Sequence, residues 1–206
     1  MTDAMLIAAA LLVPLAGSVL IAVVGRWPNV RETVTLVTAV TLMLCVWSLL
    51  PEVFSGARPA LEVWEMMPGF AIAFEVEPLG MLFAALASLL WIVNSVYSIG
   101  YMRGNRETHQ TRFYACFAIA LAAAMGVAFA GNLLTLFLCY EVLTVSTYPL
   151  VAHKGDKATV RSARVYLGIL MGTSIALFLP AILWTQTVAG TLDFVPGGIL
   201  DGVMDG

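Results

Sequence analysis

The sequence predicts an all-α polytopic membrane protein, with about six transmembrane helices in a single membrane domain over residues 1–206. Hydrophobic residues make up 61% of the chain and charged residues 11%, with a mean hydropathy of +0.93, whereas about 25% of the residues in a soluble domain are charged. Six apolar stretches each approach the roughly 20 residues that cross about 30 Å of hydrocarbon. Basic and acidic residues alternate between successive connections. These observations exclude a soluble domain, and none of them indicates a nucleic-acid partner.

The predicted membrane helices form two groups, three at about 4–101 and three at about 113–189, followed by a tail at 190–206. The first stretch exceeds the roughly 7–15 apolar residues of a signal peptide and has no basic region before it, so it is a retained helix. The fourth and fifth make one apolar run, about twice a single crossing, and its break at Gly131-Asn132 predicts a helical hairpin. Pro180 predicts a kink in the sixth. The six helices are Ala4–Gly25, Thr33–Leu50, Leu79–Tyr101, Phe113–Gly131, Leu133–Ala152 and Val165–Ala189, and the alternative start of the second is near Val30.

The connection over residues 51–78 is long for a compact membrane domain. Its two halves alternate apolar and polar residues on either side of Pro68-Gly69, a pattern typical of a small β-hairpin. An irregular loop with aromatic residues at the membrane interface is the alternative interpretation.

The distribution of charge predicts the orientation of the chain. Short loops that carry Lys and Arg remain on the cytoplasmic side, so both termini and the 51–78 loop are expected on the outer side. Arg58 is the one basic residue that departs from the alternation. The basic connections hold Arg26, Arg31, Arg103, Arg106, Arg112, Lys154, Lys157, Arg161 and Arg164, and the acidic ones hold Asp3, Glu52, Glu62, Glu65, Glu75, Glu77, Asp193, Asp201 and Asp205.

Glu141 lies in the middle of the fifth predicted helix and is the principal candidate functional residue. An acid near the centre of a bilayer costs at least about 2.5–3.5 kcal/mol, so such residues usually serve an ion or proton pathway. We therefore predict that Glu141 transfers protons. The alternative is a protonated acid that only hydrogen-bonds a neighbouring helix.

Polar residues near Glu141 are candidates for the rest of a proton path. Five of them precede or follow it on the same predicted helix and either extend a hydrogen-bonded chain or serve as packing contacts. His153 and Lys154 follow at the cytoplasmic end, where they either pass protons or anchor the helix beside anionic headgroups. The five are Tyr140, Thr144, Ser146, Thr147 and Tyr148.

Several motifs, in order, resemble the antiporter-like subunits shared by respiratory complex I, membrane-bound hydrogenases and Mrp cation/proton antiporters, most nearly the D-type subunits of the Mrp group. The longest is LFLCYEVLTVSTYPL at 136–150; the others are VEPLGMLF at 76–83, YSIGYMRG at 97–104, RFY at 112–114 and GTLDF at 190–194.

The resemblance implies a subunit, or the N-terminal half of one, in a multisubunit monovalent cation/proton antiporter or a related proton-translocating complex. It also implies a bacterial or archaeal plasma membrane, neighbouring membrane subunits, and protons with Na⁺ or K⁺ as the transported ions. In this family the acid matching Glu141 pairs with a lysine on a broken seventh helix. A scaffold subunit that assembles the complex without transporting ions is the alternative.

No residue of this sequence supplies that lysine, because all ten Lys and Arg lie in loops or at the ends of predicted helices. Three interpretations stay open: half of a subunit encoded by two genes, part of a longer protein, or a shortened paralogue kept for assembly. In the first two, a separate chain or segment provides the lysine-bearing seventh helix.

The motifs of common cofactors do not occur in the sequence. Cys45, Cys116 and Cys139 lie in apolar stretches without zinc or iron–sulfur spacing, so they are expected to be core residues. There is no dinucleotide-binding or P-loop motif. We therefore expect neither a cofactor nor a metal ion in this chain, and any redox chemistry of a host complex is expected in its partner subunits.

Overall fold

A computed structural model describes residues 2–67 and 69–201, except the side chain of Met66. In this part of the chain six helices are long and apolar enough to cross a membrane, as predicted. The last of them is continuous from Lys157 to Ala189, contains a π-helical turn at Ser174–Phe178, and is called the sixth membrane helix below. The elements are α1 (Asp3–Val23), α2 (Pro28–Trp47), α3 (Leu50–Phe54), β1 (Ala60–Met67), β2 (Phe70–Glu75), α4 (Pro78–Gly104), α5 (Gln110–Ala128), α6 (Leu133–Val151), α7 (Lys157–Thr173) and α8 (Leu179–Ala189).

Two predicted boundaries were wrong. The second span begins at Pro28 and, with α3, extends to Phe54, because proline is well suited to the first turn of a helix. The sixth begins about two turns before Val165. Its start is set by Asp156, whose carboxylate accepts hydrogen bonds from the backbone N–H of Thr159 at 2.7 Å and from its hydroxyl at 2.9 Å. Hydropathy alone locates the apolar part of a helix and misses a polar first turn.

The predicted hairpin in the 51–78 connection is confirmed, and the irregular loop was wrong. β1 and β2 pair antiparallel with two shifts in register. At the turn Gly69 has a φ of +81°, which strains any residue with a Cβ. The hairpin is held to the α5–α6 connection, because the Glu75 N–H donates to the carbonyl of Phe129 at 2.8 Å.

The predicted break between the fourth and fifth membrane helices is also confirmed. The residues between α5 and α6 do not form a tight turn, because Ala130 and Asn132 pair with other segments as in a β-sheet. Gly131 donates its N–H to the carbonyl of Ala73 at 3.0 Å. The Asn132 side chain caps α6 by accepting the N–H of Thr135 at 2.8 Å, and it donates to the carbonyl of Ala71 at 2.9 Å. The α5–α6 connection therefore lies beside strand β2 and is hydrogen-bonded to it.

The largest hydrophobic core lies among α1, α2, α4 and α5. Helix α6 packs against α5, where the Cys139 side chain lies against Gly126. The sixth membrane helix packs mainly against α6. The centre of α6 is therefore positioned by a rigid bundle on one side and by a single helix on the other.

Side-chain contacts divide the loops between two ends of the bundle. At one, called the basic end, the Thr111 hydroxyl donates to the carbonyl of Gly25 at 3.2 Å, and Arg112 donates to the carbonyl of His153 at 3.0 Å. At the other, called the acidic end, the hairpin, the α5–α6 connection and residues 191–193 meet through backbone bonds such as Leu133 N–H to Leu192 C=O. The alternation of charge in the sequence therefore corresponds to two separate ends of the structure.

Candidate functional site

Glu141 lies near the middle of α6, where its carboxyl group faces the sixth membrane helix. The Ser174 hydroxyl donates a hydrogen bond to Oε1 of Glu141, and Ser174 is only 6% exposed. The second oxygen, Oε2, is shielded from solvent and has no hydrogen-bond partner among the described residues. The site thus consists of one satisfied and one unsatisfied carboxyl oxygen at mid-span.

The π-helical turn at Ser174–Phe178 begins at the residue that binds Glu141. Its wider hydrogen bond runs from the N–H of Leu179 to the carbonyl of Ser174. Pro180 follows directly and has no N–H to complete an α-helical turn. Such single π turns occur frequently at functional sites. The kink expected from Pro180 stays a prediction, but a π turn directly precedes this proline and is next to the candidate site.

A cleft of about 380 Å³ lies between α6 and the π-helical turn. It is open on one side and mostly apolar, with hydroxyl groups from both helices at its wall. The lining residues are Leu136, Tyr140, Thr173, Ser174, Leu177 and Phe178.

Three of the five hydroxyl groups predicted as a proton path are bonded within α6 and not to Glu141. Thr144 donates to the carbonyl of Tyr140 at 2.9 Å, Ser146 to that of Leu143 at 2.9 Å, and Thr147 to that of Thr144 at 2.8 Å. Threonine and serine commonly bond the preceding turn in this way. Tyr140 and Tyr148 are half-buried on the same helix. Ser174, which the sequence did not indicate, is the residue that contacts the acid.

His153 and Lys154 follow the end of α6 at the basic end. The His153 ring packs edge-on against Phe113, with 5.7 Å between ring centroids, and both ring nitrogens lack a partner among the described residues. Lys154 is exposed. Both line a second cleft of about 380 Å³ beside Tyr101 and Glu107.

The surroundings of His153 predict a pH-dependent stability. Burial of its ring lowers the pKa of His153 below the usual 6.5, and the charge of Arg112 lowers it further, against a smaller opposing effect of Glu107. His153 therefore binds a proton more readily in the unfolded chain than in the folded one. The contribution of neutral His153 to the stability of the folded state is present above about pH 6.5 and is lost as the pH falls through the lower folded pKa.

We expect His153→Gln to reduce the fall in thermal midpoint of the purified protein between pH 8 and pH 5, since glutamine does not titrate. An unchanged pH dependence in His153→Gln would contradict this assignment.

A buried ionic cluster at the basic end joins α2, α4 and α5. Arg31 and Glu32 are 4% and 5% exposed. Glu32 Oε1 accepts from Arg31 at 3.3 Å and from Arg103 Nε at 3.0 Å, and its Oε2 accepts from Arg103 at 2.5 Å. Arg31 also donates to the side chain of Gln110 at 2.7 Å.

Arg31 further lies over the ring of Tyr114, 5.2 Å from its centroid, in a cation–π contact. From the sequence, Arg31 and Arg103 were expected only to mark the orientation of the loops, and the cluster was not predicted. The sequence does contain a pattern that could have indicated the cluster. Arg31 and Glu32 are adjacent at the start of the second apolar stretch, and Arg103 lies at the end of the third.

Comparison with known proteins agrees with the predicted resemblance. Residues 130–197 match the family model described as "NADH:quinone oxidoreductase/Mrp antiporter, TM". The D subunit of the Na(+)/H(+) antiporter of Alkalihalophilus pseudofirmus is 24% identical over 196 residues, which cover 95% of this chain and 39% of that protein. The N subunit of the NADH-quinone oxidoreductase of Desulforudis audaxviator is 26% identical over 134 residues, 65% of this chain and 26% of that protein.

Solved structures share the fold. A chain of the Mrp complex from Dietzia sp. superposes with a TM-score of 0.75 and 21% identity over 91% of this chain and 36% of that one. A chain of an archaeal membrane-bound sulfane sulfur reductase gives a TM-score of 0.72 and 20% identity over 90% and 28%. This chain therefore spans less than half the length of these relatives. This chain is thus a multi-pass membrane protein that is similar to prokaryotic antiporter-family subunits, in sequence over residues 130–197 for the NADH:quinone oxidoreductase/Mrp antiporter family model and in fold over about nine-tenths of its length.

Proposed function

We propose that this chain is a subunit, or part of one, of a monovalent cation/proton antiporter or a related proton-translocating complex, and that Glu141 lies on its proton path. The relatives named above are subunits of an antiporter and of a quinone oxidoreductase, and the solved neighbours belong to multisubunit membrane complexes. In this proposal other membrane subunits or segments contact the chain, with protons and Na⁺ or K⁺ as the transported ions.

The observation that carries the proposal is the half-satisfied carboxyl of Glu141. A carboxyl group buried without a full set of partners costs about 1–3 kcal/mol per unsatisfied group, in addition to the cost of bringing an acid into the bilayer. An acid that served packing alone would be stabilised by partners at both oxygens. The free oxygen Oε2 suits a group that exchanges protons with a partner outside the described residues.

The missing partner in this proposal is a lysine on another segment or chain. Within residues 2–67 and 69–201 Glu141 forms no ion pair. A cation that approached Oε2 would favour the charged carboxylate, and its withdrawal would favour the protonated acid. Residues 113–189 would then form the start of the antiporter repeat, after three N-terminal helices.

We further propose that the basic end faces the cytoplasm and the acidic end faces outward, with both ends of the described chain outside. Short loops rich in Lys and Arg follow this rule in polytopic proteins. His153 and Lys154 would then lie at the cytoplasmic mouth of the path from Glu141, with the hydroxyls of Tyr140, Thr144, Ser146, Thr147 and Tyr148 along α6 as candidate steps.

The test is ion flux in proteoliposomes that contain the native complex, purified with wild-type chain or with Glu141→Gln. We expect cation/proton exchange to fall at least about tenfold, because glutamine keeps the size of the side chain and cannot release a proton. Glu62→Gln, in the exposed part of the hairpin, is the matched control and should leave flux unchanged. A native gel verifies that each variant assembles.

The alternative function is a scaffold that holds neighbouring subunits without transporting ions. The observation that favours a scaffold is the apolar surface of the sixth membrane helix, which could contact neighbouring subunits. In the described structure much of this surface, including Ile169, Leu177 and Leu183, is exposed. Undiminished flux in an assembled Glu141→Gln complex would exclude the transport role and leave the scaffold.

A further inference from the structure

We infer that Ser174 is a positioning residue for Glu141 and that its hydroxyl orients the carboxyl group for proton exchange; this inference rests on the proposed function. The Ser174 hydroxyl is the one hydrogen-bond donor to Glu141 among the described residues. It occupies Oε1, so the proton-exchanging oxygen is Oε2.

The neighbouring Thr173 shows that this contact is specific. Thr173 lies on the same helix and lines the same cleft, but it is exposed and its hydroxyl donates to the carbonyls of Ile169 and Leu170 at 2.8 and 2.9 Å. Bonding to the preceding turn is the usual arrangement for such a hydroxyl. The Ser174 hydroxyl instead bonds to Glu141, at the residue where the backbone changes to the π-helical turn.

A π-helical turn begins at Ser174, the residue that makes this contact. Ser174 ends the regular helix α7, since its own backbone N–H still bonds the carbonyl of Leu170, and the wider turn follows it. Pro180 has no backbone N–H, so it cannot form the α-helical hydrogen bond to the residue four positions earlier, which lies in the π turn. The sequence of the sixth membrane helix therefore builds a local distortion that begins at the residue facing Glu141.

A hydrogen bond from Ser174 restricts the rotation of the carboxyl group. Glu141 has three rotatable side-chain bonds, and without Ser174 no described donor would select one orientation. A fixed orientation keeps Oε2 directed away from Ser174, toward the partner that the proposed function requires. Loss of a hydrogen bond to a charged group commonly corresponds to about a tenfold effect or more.

The experiment compares flux of the native complex with Ser174→Ala, Ser174→Thr and Thr173→Val. We expect Ser174→Ala to lower flux about tenfold. Ser174→Thr keeps the hydroxyl, and the adjacent cleft accommodates the added methyl group, so it should retain most of the flux. Thr173→Val removes a hydroxyl from the same surface and should behave as wild type.

Infrared spectroscopy provides a readout that a packing role would not change. The carbonyl band of protonated Glu141 is identified by its disappearance in Glu141→Gln, and we expect it at higher frequency in Ser174→Ala, where the hydrogen bond is lost. Ser174→Thr should restore it. If Ser174→Ala does not assemble, Ser174→Cys keeps the side-chain size with a weaker donor and is expected to show an intermediate flux and band position.

The outcomes separate this inference from the proposed function. Wild-type flux and an unshifted band in Ser174→Ala, with flux abolished in Glu141→Gln, would overturn the role of Ser174 and leave Glu141 on the proton path. Undiminished flux in Glu141→Gln would overturn both.

Discussion

Glu32→Gln is expected to lower the free energy of unfolding of the membrane domain by about 3 kcal/mol, toward the lower end of the range for breaking a buried ion pair. The substitution removes the charge that compensates Arg31, which is 4% exposed. It also weakens the two hydrogen bonds from Arg103, at 3.0 and 2.5 Å. The Arg103 side chain is 47% exposed, so water replaces part of that interaction and limits the loss.

The measurement is the fraction of purified complex that remains assembled after heating, followed on native gels. Glu65→Gln on the exposed face of the hairpin is the control and should have little effect. A second variant, Arg31→Met combined with Glu32→Gln, should recover part of the loss, because it no longer leaves a cation buried. If Glu32→Gln were as stable as wild type, the cluster would not stabilise the basic end.

Gly80→Ala is expected to destabilise the domain by about 3 kcal/mol, as overpacking against a rigid backbone does. A Cβ at position 80 would overlap the backbone carbonyl oxygen of Ala128, so α4 and α5 would have to move apart. A side chain can change rotamer to relieve such an overlap, but a helix end that is also bonded to the hairpin has little freedom to move.

Gly100→Ala in the same helix is the matched control, because among the described residues no atom outside its own stretch of helix lies within 4 Å of a Cβ placed there. Alanine should stabilise that position by roughly 0.5–1 kcal/mol through the lower conformational entropy of the unfolded chain. The two substitutions therefore have opposite expected signs in the same thermal assay. Equal effects would show that helix propensity, and not the contact with Ala128, decides the result.

Much of the fold followed from one-dimensional patterns. A membrane helix needs about 20 apolar residues, and a hairpin needs alternation around a turn; both conditions are local and can be read without contacts. The break at Gly131-Asn132 was predicted for the same reason. The start of the sixth helix was missed because it depends on the cap formed by Asp156, in a polar segment that hydropathy does not mark.

The candidate site was predicted only in part. An acid in an apolar span is conspicuous because of its cost, so Glu141 was identified from composition and position alone. Ser174 was not identified, because serine is common in membrane helices and its importance depends on a neighbour 33 positions earlier in the chain. The hydroxyls of Thr144, Ser146 and Thr147 had equally suitable positions on the helix but bond to their own backbone.

The sequence by itself determined that this chain has about six helices long and apolar enough to cross a membrane, which connections carry which charge, and that one acid lies in the middle of such a helix, because each property depends on residues close together in the chain. The tertiary structure decided which groups meet. It joined Glu32 to Arg103 across 71 positions and Glu141 to Ser174 across 33. Such pairs depend on how the helices are rotated and packed, which arises from the contacts of the whole bundle.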